Sequence, residues 1–154
     1  MATPSPAPTA VFEILLAEDN PGDVRLTRQA LKGGRVKTRL SVAANGEEAL
    51  EFLRRRGKHQ DAPRPDILLL DLNMPRKDGR AVLAEMKKDP TLGCIPVIVL
   101  TGSDAEVDVV QSYKSHASCY IVKPVDASAY AEVIGAIEEF WFSTARLPKD
   151  CNLV

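Results

Sequence analysis

The chain has 154 residues, 45% hydrophobic and 27% charged, with a formal net charge of -1 at pH 7. That length fits one domain with a core of its own, and nothing in the near-neutral balance points to the clustered positive surface that a nucleic-acid or membrane-surface binder needs. No apolar run approaches the roughly 20 residues of a membrane helix, and no charged start followed by an apolar stretch marks a secretory signal, so a cytoplasmic protein is expected.

Residues 1–11, MATPSPAPTAV, are rich in Pro, Ala and Thr, lack periodicity, and are predicted as a disordered leader. The main domain is predicted over 12–146 and a C-terminal tail over 147–154. Phe12 to Ala17 is an apolar run of strand length. Pro21 opens a helix that runs to Lys32 and ends at Gly33-Gly34. Arg39 to Ala43 alternates as a second strand. Asn45 and Glu48 stand at capping-box spacing before a helix with Ala49, Leu50, Phe52 and Leu53 on its apolar side. The basic run Arg54 to Lys58 closes that helix, where cations complement the helix dipole.

The loop HQDAPRP leads into the third strand, Asp66 to Asp71. Asp78 is placed to cap a helix through Lys88, stopped by Asp89-Pro90. Pro96 to Thr101 is the fourth strand. Ser103 and Glu106 predict a second capping box, opening a helix to His116. Cys119 to Lys123 is the fifth strand, and Asp126 caps a last helix to Thr144. Tyr130, Val133, Ile134, Ile137, Phe140 and Trp141 share its core stripe at ~100° per residue, which leaves Phe142 on the outer side. The three cysteines, Cys94, Cys119 and Cys151, show no CxxC spacing, and reduced thiols are expected.

Five strands alternating with five helices predict an α/β fold, a (βα)5 doubly wound five-stranded parallel sheet in the flavodoxin-like order 2-1-3-4-5. Ligands of such sheets bind beyond the carboxyl ends of the strands, where strand order reverses. Strand one ends in Glu18 and Asp19, strand three in Asp71, strand four in Thr101 and strand five in Lys123. Two carboxylates ~5 Å apart repel by roughly 3 kcal/mol at an effective dielectric near 20. A proton or a cation must answer that repulsion. Hard oxygen ligands suit Mg2+, and Lys123 and Thr101 suit phosphoryl oxygens. A carboxylate nucleophile, a metal and such donors are what phosphoryl transfer requires, so Asp71 is read as the phosphoacceptor. Each residue alone would be an ordinary turn, cap or solvated side chain; the set is what carries the reading.

These residues stand in AEDN, LLLDLNMPRKDG, VLTGS and YIVKP, which in this order and spacing resemble the receiver domain of two-component response regulators, over about Phe12 to Thr144. The resemblance implies a switch that takes a phosphoryl group from a sensor histidine kinase onto Asp71, rather than a conventional enzyme, with self-catalysed transfer and autodephosphorylation only. It implies Mg2+ held directly by Asp19, through water by Glu18, by Asp71 and by the Asn73 carbonyl. It places Thr101 as the switch hydroxyl, Lys123 as the phosphate-contacting lysine with a cis bond to Pro124, and Tyr120 as the aromatic that swings when the hydroxyl is drawn in. Asn73 and Ser103 flank the path of an attacking water.

The short stretch after Pro124 predicts output through protein contacts, or a phosphate relay or sink without a target. FWFSTARLP, HQDAPRPD and AEDNPGDVRLTRQAL are similar to single-domain regulators paired with phytochrome-type kinases, which implies a homodimer through the last helix and tail, with Phe142 and Leu147-Pro148 as its patch. A dehalogenase-type Mg2+-dependent phosphatase is the alternative, but it wants an aspartate where Asn73 stands. A flavin carrier would need a Gly-rich, hydroxyl-bearing loop where the acidic AEDNPG stands.

Overall fold

Residues 14–17, 67–70 and 97–100 are apolar at every position, and each of these runs becomes a strand buried on both faces. The computed structural model describes residues 11–149 and 151. The leader predicted over 1–11 lies outside these except for Val11, as do residues 150 and 152–154 of the tail. The elements are β1 (Phe12–Ala17), α1 (Pro21–Lys32), β2 (Thr38–Ala43), α2 (Gly46–Arg54), β3 (Ile67–Leu70), α3 (Gly79–Lys88), β4 (Val97–Thr101), α4 (Glu106–Lys114), β5 (Cys119–Val122) and α5 (Ala127–Glu138). A 3-10 turn spans Gly57–His59, and a π-helical turn spans Glu139–Thr144. The sheet is parallel with order β2-β1-β3-β4-β5, as predicted.

Alternation along each strand divides the core in two. Leu15, Ala17, Leu68, Leu70, Val97 and Val99 face α2 and α3, where they meet Leu50, Leu53, Val82 and Met86. Ile14, Leu16, Ile67, Leu69, Ile98 and Leu100 face α1 and α5, where they meet Leu31, Tyr130, Ile134 and Ile137. Within that second layer the Tyr130 hydroxyl shares a hydrogen bond of 2.9 Å with Thr27, so both buried hydroxyls are satisfied.

Helix starts follow the side chains at their N-termini. Asn20 accepts from the Gly22 and Asp23 amides, Asn45 from Glu48, Asp78 from Ala81 and Asp126 from Ser128. The capping box predicted from Ser103 and Glu106 does not form. α4 starts at Glu106 after Ala105, with no side-chain cap; Ser103 lies two residues before the cap position, where its hydroxyl donates to Asp108 at 2.7 Å and accepts from the Ala105 amide at 3.4 Å. That helix also stops at Lys114, short of the predicted His116, which sits at φ 69°.

The last helix corrects a second expectation. Phe142 is buried and stacks on Phe12 at 4.3 Å between ring centroids, while Phe140 is 52% exposed. The cause is the π turn, closed by the Ala145 amide donating to the Phe140 carbonyl at 2.7 Å. Its i→i+5 bonds advance each residue by less than the ~100° of an α-helix, so the apolar face slips by a residue or two. Leu147 of the predicted tail patch packs, partly buried, against the same core layer.

The expectation of reduced thiols is overturned for two of the three cysteines. Cys94, between α3 and β4, is joined to Cys151 by a disulfide, with Cα atoms 5.4 Å apart across 57 residues of sequence. At that separation no local spacing signals the pair; the path of the tail brings the sulfurs together. Cys119 stays free and half-buried, and burial pushes its thiol up from the ordinary 9.0.

Candidate functional site

The carboxyl ends of β1, β3, β4 and β5 form one crevice, because the sheet order puts β1 and β3 side by side at its centre and β2 outside them. Backbone bonds continue each ladder one residue past the strand. Glu18 N donates to Ala43 O at 2.9 Å, Asp71 N to Ala17 O at 3.0 Å, and Lys123 N to Thr101 O at 2.7 Å. The reactive residues are thus held in strand register although they lie just outside the strands.

Two glycines set the loop between β3 and α3. Gly79 donates its amide to Leu72 O at 2.9 Å, and a Cβ there would lie 2.3 Å from the Asp71 carbonyl oxygen. Gly46 donates to Lys77 O at 2.8 Å, and a Cβ there would lie 2.0 Å from that same oxygen. Backbone meets backbone at both positions, so only glycine fits.

Inside the crevice Asp71 is almost fully buried. Its Oδ1 accepts from the Thr101 hydroxyl at 2.7 Å and from the Asn73 amide at 3.1 Å. Its Oδ2 accepts from the Lys123 ammonium at 2.9 Å. The same ammonium donates to Asp23 at 2.8 Å and to Glu18. Tyr120 is half-buried against the core layer on the α2 and α3 side, and its hydroxyl donates to the Ser103 carbonyl at 2.9 Å. Thr101 is therefore drawn in to Asp71, and Tyr120 is tied to the loop that follows Thr101.

Charge and burial conflict here, and the conflict shows in the protonation states. Glu18 stands raised from 4.5 to about 7, because burial and the neighbouring Asp71 push it up by more than the Lys123 ammonium pulls it down. Asp71 is likewise penalised by burial, but hydrogen bonds from Glu18, Lys123, the Asn73 amide and Thr101 outweigh that and hold it below 3.8. Glu18 is thus the proton-holding member of the pair and Asp71 the charged one. Burial opposes the charge on Lys123, yet Asp23, Glu18 and Asp71 together hold it well above the ordinary lysine range.

Ligand oxygens of Glu18, Asp19 and Asp71 all lie within 4.8 Å of one another. Asp19 is exposed and the other two are buried, so the cluster has one open face. An all-oxygen donor set of three carboxyls, one of them pushed by burial and by its neighbour Asp71 to hold its proton, fits a hard divalent cation.

Glu18, Asp19, Asp71, Thr101 and Lys123 therefore meet as expected from the strand ends. Asn73 contributes an amide to Asp71, and Tyr120 stands one loop away. The Lys123–Pro124 bond is trans, since no cis peptide occurs among the described residues. Trans is the lower-energy isomer of such a bond, and with it the ammonium already reaches its three carboxylates. Asp23 was missed by the sequence reading. Its signal was its place in the first turn of a helix that starts directly after the acidic pair, where the Asn20 cap aims it back at the crevice.

A doubly wound sheet carrying a carboxylate, a hydroxyl, an amine and an acidic cation pocket at its switch point defines a receiver domain. The chain belongs to that family: residues 14–135 match the model for the response regulator receiver domain. It is 44% identical over 135 residues to the response regulator Rcp1 of Synechocystis sp., covering 88% of this chain and 92% of that protein. Among solved structures, it superposes on the phosphorylated cyanobacterial phytochrome response regulator RcpA with a TM-score of 0.88 at 48% identity, covering 90% of this chain and 99% of that one. The Mn2+-bound form of Rcp1 superposes with a TM-score of 0.85 at 43% identity, over 89% of this chain and 99% of that one. The chain is thus a response regulator of two-component signalling, a switch by class, similar to the regulators of phytochromes.

Proposed function

We propose that Asp71 accepts a phosphoryl group from a sensor histidine kinase of the phytochrome type, with Mg2+ as the cation and Glu18, Asp19, Asp71 and Asn73 around it. The observation that carries this reading is Asp71 itself: charged, buried, and held on both oxygens by donors at the ends of β3, β4 and β5. In the transfer, an Asp71 oxygen attacks the phosphorus of the kinase phosphohistidine. The P–N bond breaks, its electrons return to the imidazole, and an acyl phosphate forms. When bound, the divalent ion would neutralise charge on the phosphoryl oxygens.

The chain's own residues do the rest. Lys123 and Thr101 are already directed at Asp71, and their donors pass to oxygens of the incoming group, which adds roughly -1.5 to -2 charges. Exposed Asn73 and half-buried Ser103 flank the approach of the water that later hydrolyses the acyl phosphate. The receiver unit spans 12–146 with a tail at 147–154, and the chain acts in the cytoplasm.

Output is proposed through a second copy of the chain docking on the last helix. Phe140, exposed in the turn that ends that helix, takes the role expected of Phe142. Light scattering that gives a monomer mass both with and without a phosphoryl mimic overturns this dimer.

The test of the central reading is incubation with Mg2+ and acetyl phosphate followed by intact mass. One phosphoryl adduct, lost in Asp71→Asn, is the expected result. Steady turnover of phosphate esters would instead identify a phosphatase, and no adduct at all would leave a scaffold.

A further inference from the structure

The connection from β4 to α4 is Gly102 to Ala105, and little apolar packing holds it. α4 has no side-chain cap, and Ser112 is its only buried residue. Val107, Val110 and Tyr113 of the same helix are exposed. A helix with so little buried area needs another source of position.

That source is polar. Arg80, in the first turn of α3, makes a two-pronged contact with Asp108 of α4, Nε to Oδ1 at 2.9 Å and Nη2 to Oδ2 at 2.8 Å. The fork geometry fixes direction as well as distance. Asp108 Oδ2 also accepts the Ser103 hydroxyl at 2.7 Å. The carbonyl of Ser103 in turn receives the Tyr120 hydroxyl at 2.9 Å. On its other side Arg80 reaches Asp78 and the Leu72 carbonyl, each at 3.5 Å, in the loop that carries Asp71. Together with the short stretches of chain from Thr101 to Ser103 and from Leu72 to Asp71, these contacts close a ring through Asp108 and Arg80.

Each member of the ring has a definite share. The Arg80 guanidinium, with help from Ser103, holds the Asp108 carboxyl below its ordinary 3.8, so it is charged at neutral pH. A charged Asp108 orients the Ser103 hydroxyl toward α4 as a donor. Ser103 so held presents its carbonyl to Tyr120. If the loop relaxed, Tyr120 would lose its hydrogen-bond acceptor and Thr101 its fixed place 2.7 Å from Asp71.

We propose that Arg80 and Asp108 form a latch that holds the β4–α4 loop, and through it Thr101 and Tyr120, in the drawn-in arrangement, and so set how readily the crevice takes a phosphoryl group. Both are positioning residues, since neither touches the reacting atoms. The proposal rests on the reading of Asp71 as phosphoacceptor. A receiver with the latch closed needs less rearrangement on phosphorylation, and the affinity for a phosphoryl group scales with the fraction already drawn in.

The test measures the affinity of the full chain for beryllofluoride, a phosphoryl mimic, in excess Mg2+, and the 19F signal of fluorotyrosine at position 120 without mimic. Arg80→Gln and Asp108→Asn should each weaken mimic binding by about threefold to tenfold, in line with a part-exposed but two-pronged pair. Mg2+ affinity should stay unchanged, because Glu18, Asp19 and Asp71 are untouched. The Tyr120 signal should move in both variants. The exchanged pair Arg80→Asp with Asp108→Arg should recover most of the affinity, which a general loss of stability would not allow. Wild-type affinity in both single variants, or an exchanged pair as weak as either, overturns the latch. If the wild-type chain binds no mimic, the phosphoacceptor reading falls, and the latch is judged by the Tyr120 signal, which must still move in Asp108→Asn.

Discussion

Raising the pH from about 4.5 to about 7 in the absence of a divalent cation should destabilise this protein through Glu18. The carboxyl is 2% exposed, faces Asp71, and titrates at about 7 in the folded chain against 4.5 when unperturbed. Within that window the folded state holds a proton that the unfolded chain has released, so stability falls as pH rises. The two values correspond to about 3 kcal/mol at ~1.4 kcal/mol per pH unit, or roughly 6–12 °C in melting temperature for a chain of this size. Asp71 does not cancel this. Its carboxyl is held below 3.8, so its contribution is already complete above that pH and is lost only as pH falls further. A bound cation replaces the proton, so Mg2+ affinity should rise about tenfold per pH unit up to about 7 and level off beyond it. The assay is thermal unfolding from about pH 5 to about pH 8 with EDTA or with excess Mg2+, on wild type and Glu18→Gln, in which the amide keeps this position neutral. Wild type should lose stability across the window in EDTA, and Glu18→Gln should lose markedly less. A flat wild-type curve, or an unchanged slope in Glu18→Gln, would refute the assignment of the proton to Glu18.

Lys123→Ala leaves Glu18, Asp23 and Asp71 without their common cation. It should cost about 3–5 kcal/mol in denaturant titrations, recover in part with Mg2+, and slow adduct formation; unchanged stability counts against the shared ammonium. Gly79→Ala drives a methyl to 2.3 Å from the Asp71 carbonyl oxygen. It should cost about 1–3 kcal/mol or more and reduce phosphoryl uptake, whereas a wild-type adduct yield would show that the loop can yield. Reducing the Cys94–Cys151 bond, or replacing Cys94 by Ser, frees a crosslink across 57 residues of sequence. The chain-entropy relation puts this at up to about 4 kcal/mol, read as a lower guanidinium midpoint, and coincident midpoints would show that the tail contributes nothing.

Much of the fold and most of the site could be read along the chain. Ile67 to Leu70 is apolar at each position, which only a strand covered on both faces can use, and the alternation of such runs with amphipathic helices leaves one simple sheet order. Residues that finish strands share an end of a parallel sheet, so Glu18, Asp71, Thr101 and Lys123 could be placed together without coordinates. Local hydrogen bonding is likewise local in sequence, and the caps at Asn45, Asp78 and Asp126 are legible for that reason.

What required the tertiary structure is every feature that depends on two distant segments at once. Asp23 joins the crevice only because β5 delivers Lys123 to it. Ser103 meets Asp108, which Arg80 on another helix holds in place, while the cap position falls two residues later at Ala105. Phe142 turns inward because a π turn shifts the helix face toward Phe12, a change invisible to a fixed angular period. Cys94 meets Cys151 only when the tail returns to the loop after α3. Periodicity and capping depend on neighbours a few residues apart and so are written in the sequence; side-chain partners, burial and the protonation of Glu18 depend on through-space distances that only the assembled sheet and helices set.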